Sequence, residues 1–564
     1  MDKSHELHRR YCSLLYSYLL LLVSSILLVL VVIPKLVSGC HEEERQALRN
    51  FKHGGLRDPA NRLSSWGSSS GTKDCCSWAG VGCNNTTRRV VKLDLRNANL
   101  DEYGYPLSNF SLGGKIDSSL IHLQHLTYLD LSGNDFGSMN NIAIPDFFGS
   151  FEHLEYLNLS HAHFVGKIPR QLGNLSNLHT LDLGSNYNLR DVHDLAWVSS
   201  LSSLHYLDLS MVDLSREENG VQEINQLSVL RELHLAQCML PKIHSPILWP
   251  FTNLTATLNV LDLSSNYQLL AEPNSWLTNF SSLSHLYLSS TGLHGSMLPS
   301  IGYLTNLEVL DLSYNSIYGP IPDSFGTNLC KLRILNLRRN TIISGWERDS
   351  TRSICLANSL QELYLGSNRL SSLTALFSTI GNLTSLKVLD LGNNSINGTI
   401  PRSLISNLCH LRILRLAENS IRGMEPLPRC LSDSLEVLDL RSNQLVGDLQ
   451  VLLGEISNSK TLKKLYLSYN SLSGYIPHSS SSSTTGDGRI LSYVLEELDL
   501  SGNKLSGHVI LQNIGKFTNI VSLSISSNSL PIVITEDVLN NLQRLESIDL
   551  MSNNCLVWKV KSRT

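Results

Sequence analysis

One phrase, LxxLxLxxNxL, dominates the sequence and limits what the chain can fold into. It is clearest as LTYLDLSGNDF at Leu126, and about 18 copies follow one another at a spacing of about 24 to 28 residues. A unit this short cannot bury its own leucines, so neighbouring copies must stack and cover one another. The copies begin at Val90 (a degenerate one), Leu126, Leu154, Leu178, Leu204, Leu230, Leu258, Leu283, Leu307, Leu332, Leu360, Leu386, Leu411, Leu435, Leu462, Leu495, Ile520 and Leu545.

Each copy predicts one short strand and one inward turn. In LxL the two leucines share one side of a strand, and the residue between them faces the other side. The Asn at the ninth position is expected to bond the backbone of neighbouring copies. Cys238 replaces it in one copy and is an accepted alternative in this repeat. Ala162, Val212 and Thr291 replace it in three others, which should be less regular. The sequence therefore predicts an α/β solenoid, a leucine-rich-repeat arc with a parallel β-sheet on its concave face, over residues 90–554.

The amino terminus has the pattern of a secretory signal peptide, predicted over residues 1–39. Basic Lys3, Arg9 and Arg10 precede an apolar run over residues 14–33, and small residues lead up to Cys40. The run is also long enough to remain as a membrane anchor, but we favour cleavage because a cysteine-bearing segment starts directly after it. The secretory route makes disulfides and glycans plausible.

Residues 40–89 are predicted to cap the open end of the stack. Ala47, Leu48 and Phe51 can share one face of a helix, and we expect Trp66 and Trp78 to pack in the core. Four cysteines follow the signal peptide, and a bridge between the adjacent Cys75 and Cys76 would be strained. We favour Cys40–Cys75 with Cys76–Cys83, and the swapped pairing is the alternative: Cys40, Cys75, Cys76, Cys83.

A second cysteine pattern occurs twice in the repeats. Cys330 and Cys355 precede their leucines, Leu332 and Leu360, by two and five residues, and Cys409 and Cys430 repeat these offsets. Neighbouring strands lie about 4.8 Å apart, which is within reach of a disulfide. The pattern predicts two bridges between adjacent copies, with pairs of buried free thiols as the alternative. Cys238 and Cys555 have no such counterpart and are expected to be free.

Sequence motifs identify a resemblance. The cap has the form C-x-EEER-x-AL…L-SSW…DCC-x-W-x-GV-x-C, and Gly-x-Ile-Pro follows several strands, as at residues 166–169, 319–322, 398–401 and 474–477. Both features resemble plant receptor-like proteins of defence, most closely the fungal-xylanase-receptor type. This resemblance implies a cell-surface protein that recognises a microbial or endogenous molecule and signals through a partner receptor kinase.

The carboxyl terminus departs from the family pattern. Members usually continue into a cysteine cap, a transmembrane helix and a short tail, whereas here a short basic tail, residues 555–564, follows the last copy. We expect a receptor ectodomain, with a secreted inhibitor of a cell-wall-degrading enzyme or a truncated, non-signalling fragment as alternatives. The plasma membrane or the apoplast is the expected location. A low-complexity stretch, residues 478–489, is expected to be a loop.

No residue pattern points to catalysis. Gly113-Gly114-Lys115 is followed by Ile116 and fails the phosphate-loop pattern, and no kinase signature occurs. We therefore expect no enzyme, cofactor or metal, and the net charge of −4 gives no reason to expect nucleic acid.

Binding is expected on the concave face instead, where positions 3, 5, 7 and 8 of each copy point away from the core. Asp is frequent at position 5, which favours a general solvated row over a specific site. Arginines and tyrosines are common interface anchors, so irregular ones mark a candidate site for a peptide, glycan or protein ligand, with an ordinary charged surface as the alternative. These candidates are Arg338, Arg339, Tyr364, Arg415, Arg441, Tyr466 and Tyr469.

Candidate glycosylation sites follow from the Asn-x-Ser/Thr pattern. We expect Asn158 to be occupied less often than Asn174, Asn279 or Asn382, which are expected in outer loops, because Asn158 lies in a strand and faces the concave side. The acceptors are Asn84, Asn85, Asn109, Asn158, Asn174, Asn253, Asn279, Asn382, Asn393 and Asn397.

Overall fold

A computed structural model describes residues 39–559 except 68–73, 103, 139–140, 191–194, 217–219, 242–252, 268, 270–278, 298, 347–353, 374–375, 377–379, 457–458, 475–493, 507–516 and 536–539. The predicted signal peptide up to residue 38, the low-complexity stretch and residues 560–564 of the tail lie outside the described residues. The chain divides into two compact units, Met1–Leu189 and Arg190–Thr564, which are described in turn. Each copy of the repeat is called a rung and is named after its first residue.

The amino-terminal unit begins with the cap. Its helix, Glu42–His53, buries Ala47, Leu48 and Phe51, as the spacing predicts. Trp66 and Trp78 stack with ring centroids 5.7 Å apart, and both are buried. The core role predicted for the two tryptophans is therefore confirmed.

Two disulfides close the cap in the favoured pairing. Cys40 is bonded to Cys75 and Cys76 to Cys83, each with Cα atoms 5.5 Å apart. The cap strand Val81–Cys83 then pairs antiparallel with Val90–Asp94, the strand of the first rung, and so covers one edge of the sheet.

The strands of the rungs form parallel sheets, because every LxL segment lies in register with the next. Leu335 pairs with Leu363, for example, and Leu363 with Leu389, and all three are fully buried. In the amino-terminal unit these strands are Val90–Asp94, Tyr128–Asp130, Tyr156–Asn158 and Thr180–Asp182. In the second unit they are Tyr206–Asp208, Glu232–His234, Val260–Asp262, His285–Tyr287, Val309–Asp311, Ile334–Asn336, Glu362–Tyr364, Val388–Asp390, Ile413–Arg415, Val437–Asp439, Lys464–Tyr466, Glu497–Asp499, Ser522–Ser524 and Ser547–Asp549.

The Gly-x-Ile-Pro segments contribute to further, smaller sheets. Gly166, Gly319, Gly398 and Gly474 all have positive φ, between 81° and 102°, which glycine adopts at no steric cost. The smaller sheets pair Leu56–Arg57 with Gly113–Gly114, Val165–Gly166 with Asn188–Leu189, His294–Ser296 with Ser316–Ile321 and Thr341–Trp346, Asn397–Ile400 with Ser420–Met424, Val446–Asp448 with Ser471–Gly474 and Lys504–Leu505, and Pro531–Thr535 with Cys555–Lys559.

Short helices return the chain from one rung to the next. The α-helices are Gly220–Ile224, Asp323–Asn328, Ile354–Ser359, Arg402–Ile405, Arg429–Ser432 and Leu449–Ile456. The 3₁₀ helices are Cys75–Ser77, Ser108–Phe110, Ser118–His122, Asp146–Ser150, Arg170–Asn174, Ala196–Ser200 and Pro299–Tyr303.

The position-9 asparagines tie adjacent rungs together. Asn368 donates from Nδ2 to the carbonyl oxygens of Leu337, in the rung before, and Leu365, in its own rung, at 2.9 and 3.0 Å. Its Oδ1 accepts the N–H of Ile342 at 3.0 Å. Each buried asparagine of this kind satisfies backbone groups that would otherwise be unpaired. The same arrangement occurs at Asn134, Asn186, Asn266, Asn315, Asn340, Asn394, Asn419, Asn443, Asn470, Asn503, Asn528 and Asn553.

Position 8 is left-handed in every rung from Leu126 to Leu545. Glycine supplies it at Gly133 and Gly502, and other residues hold φ between 51° and 64° elsewhere, with serine the most frequent. Left-handed backbone is costly for residues with a Cβ atom, so a conformation that recurs in this way is imposed by the turn. The chain therefore turns away from each strand in the same direction.

Two of the three rungs predicted to be irregular, those with Ala162 and Thr291, are irregular, and so is the rung with Cys238, which was expected to be regular. The rungs at Leu154, Leu230 and Leu283 have a second left-handed residue at position 10, namely His163, Met239 and Gly292. In the last two, the asparagine of the following rung accepts two N–H groups instead of one, those of positions 9 and 11. The Leu204 rung, which has Val212, keeps its single left-handed residue.

Candidate ligand-binding site

Most Asp and Asn side chains at position 5 are hydrogen-bonded to the backbone of their own rung. A side-chain oxygen of the Asp or Asn accepts the N–H of position 7 in the same rung at 2.7 to 3.2 Å. This is a local turn contact that needs no ligand, and it favours the general row over a specific site. The pairs are Asp130–Ser132, Asn158–Ser160, Asp182–Gly184, Asp208–Ser210, Asp262–Ser264, Asp311–Ser313, Asn336–Arg338, Asp390–Gly392, Asp439–Arg441, Asp499–Ser501 and Asp549–Met551.

Three alternate rungs in one region of the second unit depart from this rule. Position 5 is Tyr364, Arg415 and Tyr466 in strands that alternate with those bearing Asp390 and Asp439. The five residues lie side by side along the sheet, in the order Tyr364, Asp390, Arg415, Asp439 and Tyr466. The register therefore brings together three of the predicted binding residues.

Position 7 in the same region forms a row of small residues between two arginines. Gly366, Gly392 and Ala417 occupy it in three successive rungs, with Arg338 in the rung before them and Arg441 in the rung after. We call these three small residues the stripe. Strands in a sheet are about 4.8 Å apart, so the two arginines are carried by rungs about 19 Å apart. Sequence reasoning from large residues alone missed the stripe, although counting position 7 in each copy would have found it.

The two flanking arginines are partly neutralised. Arg338 Nη1 lies 4.0 Å from Asp390 Oδ2, and its side chain is 48% exposed. Arg441 donates to both carboxylate oxygens of Asp439, at 3.0 and 2.7 Å, and its guanidinium lies over the ring of Tyr466 at 4.9 Å. The hydrogen-bonded carboxylate of Asp439 raises the pKa of Arg441 above its usual value. Both arginines are thus held in place at the ends of the stripe.

Arg415 differs from them because the adjacent carboxylates are already engaged. Asp390 accepts the N–H of Gly392 and faces Arg338, while Asp439 is held by Arg441. Within the described part of the chain, the guanidinium of Arg415 has no hydrogen bond and no carboxylate within 4.0 Å. A guanidinium carries five N–H donors, so Arg415 can bind an anionic or carbonyl group from outside the chain.

The tyrosines are held by glutamates. The hydroxyl of Tyr364 donates to Glu362 at 2.8 Å, and burial, with this glutamate, raises the pKa of Tyr364 to about 12. The hydroxyl of Tyr466 donates to the carboxylate of Glu497, which Lys464 also contacts at 2.6 Å. The phenols therefore stay neutral over the physiological pH range.

Arg339 and Tyr469 occupy position 8 instead of the strand. The guanidinium of Arg339 lies 5.0 Å from the ring centre of Tyr314, which is itself at position 8. Tyr469 is exposed beside Gly502, where an added Cβ would come within 2.8 Å of its ring. Their contacts run along the position-8 row, so we separate them from the stripe and its flanking residues.

Two further disulfides join rungs of the same region. Cys330 is bonded to Cys355, with Cα atoms 4.8 Å apart, and Cys409 to Cys430, with Cα atoms 4.9 Å apart. The first links the Leu332 and Leu360 rungs and the second the Leu411 and Leu435 rungs. These are the rungs at the two ends of the stripe. Cys238 is a buried free thiol and Cys555 lies in the strand Cys555–Lys559.

Most candidate glycosylation sites are exposed. Asn158 is an exception, because its Oδ1 accepts hydrogen bonds from the backbone and the hydroxyl of Ser160, at 2.9 and 2.7 Å, and Ser160 is buried. The exposed acceptors are Asn84, Asn85, Asn109, Asn174, Asn253, Asn279, Asn382, Asn393 and Asn397. Reduced occupancy at Asn158 stays a prediction.

Among the described residues, no group of three or more His, Cys, Asp and Glu side chains could hold a metal ion. A search of the same residues finds no helix both long and apolar enough to cross a bilayer.

Family models match both parts of the chain. Residues 41–84 match the leucine rich repeat N-terminal domain. Leucine-rich-repeat models match residues 122–138, 153–175, 306–328, 385–407, 461–482 and 494–517.

Curated relatives and solved structures agree with these models. Receptor-like proteins EIX1 and EIX2 of Solanum lycopersicum are each 36% identical over 64% of this chain, which covers 32% and 34% of their lengths. The chain thus spans about a third of the length of these relatives. The ectodomain of the Arabidopsis receptor kinase HAESA, solved with an IDA peptide hormone, is 28% identical, with a TM-score of 0.57 over 91% of this chain and 82% of that one.

A TDR receptor structure supports the fold alone, with 22% identity and a TM-score of 0.51 over 80% of this chain and 84% of that one. The repeats, the disulfide-bonded cap and these relatives confirm the resemblance seen in the motifs. The chain thus carries leucine-rich repeats behind a matching N-terminal domain, and it is similar to plant receptor-like proteins such as EIX1 and EIX2.

Proposed function

We propose that this chain is the extracellular ligand-recognition region of a receptor-like protein and that its ligand lies along the stripe. The unpaired guanidinium of Arg415 beside Gly392 and Ala417 carries the proposal. Small position-7 residues leave room above the sheet, and the guanidinium groups of Arg338 and Arg441 have further N–H donors at its two ends. Such a site binds and orients a ligand, and it contains no nucleophile with an adjacent base.

An extended peptide is the ligand class that fits best. Five rungs span about 19 Å, which equals about six residues of extended chain at about 3.3 Å each. The related HAESA ectodomain was solved with a peptide hormone. A carboxylate or backbone carbonyl of the peptide would accept from Arg415, and the arginines would favour acidic residues.

The two disulfides support this placement. Cys330–Cys355 and Cys409–Cys430 fix the rung pairs that carry the two ends of the stripe. Restraining a binding surface before the ligand arrives reduces the conformational entropy lost on binding. The site is therefore organised in advance.

Signalling requires a second protein in this proposal. A partner receptor kinase would carry the signal across the membrane, as the similarity to receptor-like proteins suggests. The predicted signal peptide sends the chain into the secretory pathway, with the cell surface or the apoplast as its destination.

Peptide selection tests the site. A displayed library of random twelve-residue peptides is selected on the full secreted chain, and the enriched peptides are titrated against two double variants. Arg338→Glu with Arg415→Glu should weaken binding about tenfold or more. Arg333→Glu with Arg412→Glu makes the same charge change at exposed position-2 residues of the same two rungs, and it should leave affinity within about twofold.

Each outcome decides the proposal. Equal losses in both double variants would indicate a general charge effect and overturn the site, as would normal binding by the first variant. A library that yields no binding peptide would contradict the ligand class. Comparable secretion and circular dichroism of the variants confirm that both are folded.

A further inference from the structure

A polar cavity lies on the amino-terminal unit, away from the strands. It has a volume of about 550 Å³ and lies between two successive 3₁₀ helices, Asp146–Ser150 and Arg170–Asn174. The helices approach closely because the first contains Gly149, where an added Cβ would come within 2.1 Å of the carbonyl oxygen of Gln171. Residues that line the cavity include Asp146, Ser150, His153, Gln171, Asn174 and Ser176.

The asparagine and the serine of one glycosylation acceptor sequence, Asn174 and Ser176, both line this cavity. Asn174 and Ser176 flank Leu175, which is fully buried and anchors the segment in the core. Asn174 is exposed, so its amide nitrogen is accessible at the cavity. Asn177 donates to the backbone of Glu152 at 2.9 Å and holds the segment against the preceding rung. The acceptor is therefore fixed in position at the cavity.

Polar side chains around the acceptor have unused hydrogen-bonding capacity. Asp146, His153 and Gln171 make no side-chain hydrogen bond to any other described residue. The ring of His153 is stacked against that of His125, with centroids 6.0 Å apart and planes 2° apart. Stacking fixes the ring plane and leaves both ring nitrogens available. These carboxylate, imidazole and amide groups match the hydroxyl and acetamide groups of an N-acetylated sugar.

We propose that the cavity holds the first N-acetylglucosamine of a glycan on Asn174. The proposal rests on the secretory route of the proposed function. The glycan is transferred from a lipid diphosphate donor: Nδ2 of Asn174 loses one proton and bonds to C1 of the sugar, while the bond from C1 to the diphosphate oxygen breaks and the lipid diphosphate leaves. The sugar then packs between the two short helices and ties adjacent rungs together.

A second cavity supports the association between acceptors and cavities. It has a volume of about 400 Å³, and its lining includes Asn397 and Thr399, which belong to another acceptor. Asn382 provides the matched comparison. It lies four residues before its leucine, Leu386, as Asn174 does before Leu178, and it is exposed, but it lines neither of these two cavities.

Enzymatic deglycosylation of the native protein tests the proposal. The full chain is secreted from human cells in which mannose trimming is blocked, and a peptide N-glycosidase is applied without denaturant. Peptide mass spectrometry then follows release at each asparagine. A sugar packed in the cavity is shielded, so release at Asn174 should be at least about fivefold slower than at Asn382. The triple variant Asp146→Ala, His153→Ala, Gln171→Ala should bring Asn174 to the rate of Asn382.

Loss of the glycan gives an independent measurement. Ser176→Ala removes the acceptor at Asn174, and Thr384→Ala removes the one at Asn382. Amide hydrogen exchange over residues 146–153 should accelerate in the first variant only, and Ser176→Thr, which keeps the acceptor, should exchange as the wild type does. Asn382 glycosylated with Asn174 bare, or equal release rates at the two, would overturn the cavity proposal alone. A chain without glycans at any acceptor would instead contradict the secretory route.

Discussion

The guanidinium of Arg338 faces the carboxylate of Asp390 at 4.0 Å although the two residues lie two rungs apart. The Leu360 rung lies between them and has Gly366 at position 7, where most other rungs have a serine or another side chain. A bulky residue there would stand between the ion pair, because an added Cβ already comes within 3.2 Å of Asp390 Oδ1. The glycine thus lets Arg338 reach across the Leu360 rung to Asp390.

Filling the stripe should abolish ligand capture without unfolding the chain. We expect Gly366→Leu to weaken the enriched peptides about tenfold or more, because the side chain occupies the ligand's path and separates Arg338 from Asp390. Gly366 is not left-handed, so its backbone accepts a side chain. Ser289→Leu makes a comparable change at position 7 of the Leu283 rung and should bind normally. Titration of both variants checks this, and unimpaired binding by Gly366→Leu would place the ligand elsewhere.

Removing one of the position-9 asparagines should weaken the contact between two adjacent rungs. Asn368→Ala leaves two buried carbonyls and the N–H of Ile342 without their partner, at a cost of about 3 kcal/mol of unfolding free energy. Arg369→Ala, at the exposed neighbouring position, should change the unfolding free energy by less than about 0.5 kcal/mol. Urea unfolding and amide exchange at Ile342 measure both effects. If Asn368→Ala lost no more stability than Arg369→Ala, the position-9 asparagines would not contribute substantially to holding adjacent rungs together.

At a left-handed position, a glycine variant should be more stable than a valine variant, which is the reverse of the order expected elsewhere in the rung. At Ser185, where φ is 58°, Ser185→Gly should be within about 0.5 kcal/mol of the wild type, whereas Ser185→Val should cost about 1 to 2 kcal/mol more. At Tyr187, two residues later and without positive φ, Tyr187→Gly should be less stable than Tyr187→Val. Thermal unfolding of the four variants gives the two orders. The same order at both positions would contradict a conformation imposed by the turn.

The repeat explains why so much of the fold could be predicted. Leucines at positions 4 and 6 can be buried only if the copies stack in parallel. Of the three rungs predicted to be irregular, those at Leu154 and Leu283 are irregular and the Leu204 rung is not. The cap helix and the core tryptophans followed from burial patterns of single elements. The left-handed turn at position 8 was not predicted, because serine there looks like an ordinary surface residue and the backbone strain has no sequence signature of its own.

The candidate site was harder to predict for a physical reason. Sequence reasoning selected large residues, and it found Arg338, Tyr364, Arg415, Arg441 and Tyr466, which the register places in one region of the sheet, at positions 5 and 7. It also selected Arg339 and Tyr469, which the turn directs along another row. Which arginine is unpaired depends on distances between rungs: Asp390 and Asp439 are held by other partners, and only coordinates show that Arg415 is left without one among the described residues.

The disulfides at the ends of the stripe should support both stability and affinity. Replacing Cys409 and Cys430 by serine removes a bridge across 21 residues, which should lower the unfolding free energy by about 3 kcal/mol and weaken peptide binding, because the Leu411 and Leu435 rungs carry Ala417 and Arg441. The Cys330→Ser/Cys355→Ser variant should likewise be less stable and bind peptide more weakly, because the Leu332 and Leu360 rungs carry Arg338 and Gly366. Cys238→Ala is the control: burial raises the pKa of its thiol, which stays protonated and remote from the stripe, so affinity should not change. Non-reducing peptide mass spectrometry with alkylation of the native chain checks the bridges. Alkylated Cys409 or Cys330 in a folded, binding-competent protein would show that leucine packing alone holds these rungs in register.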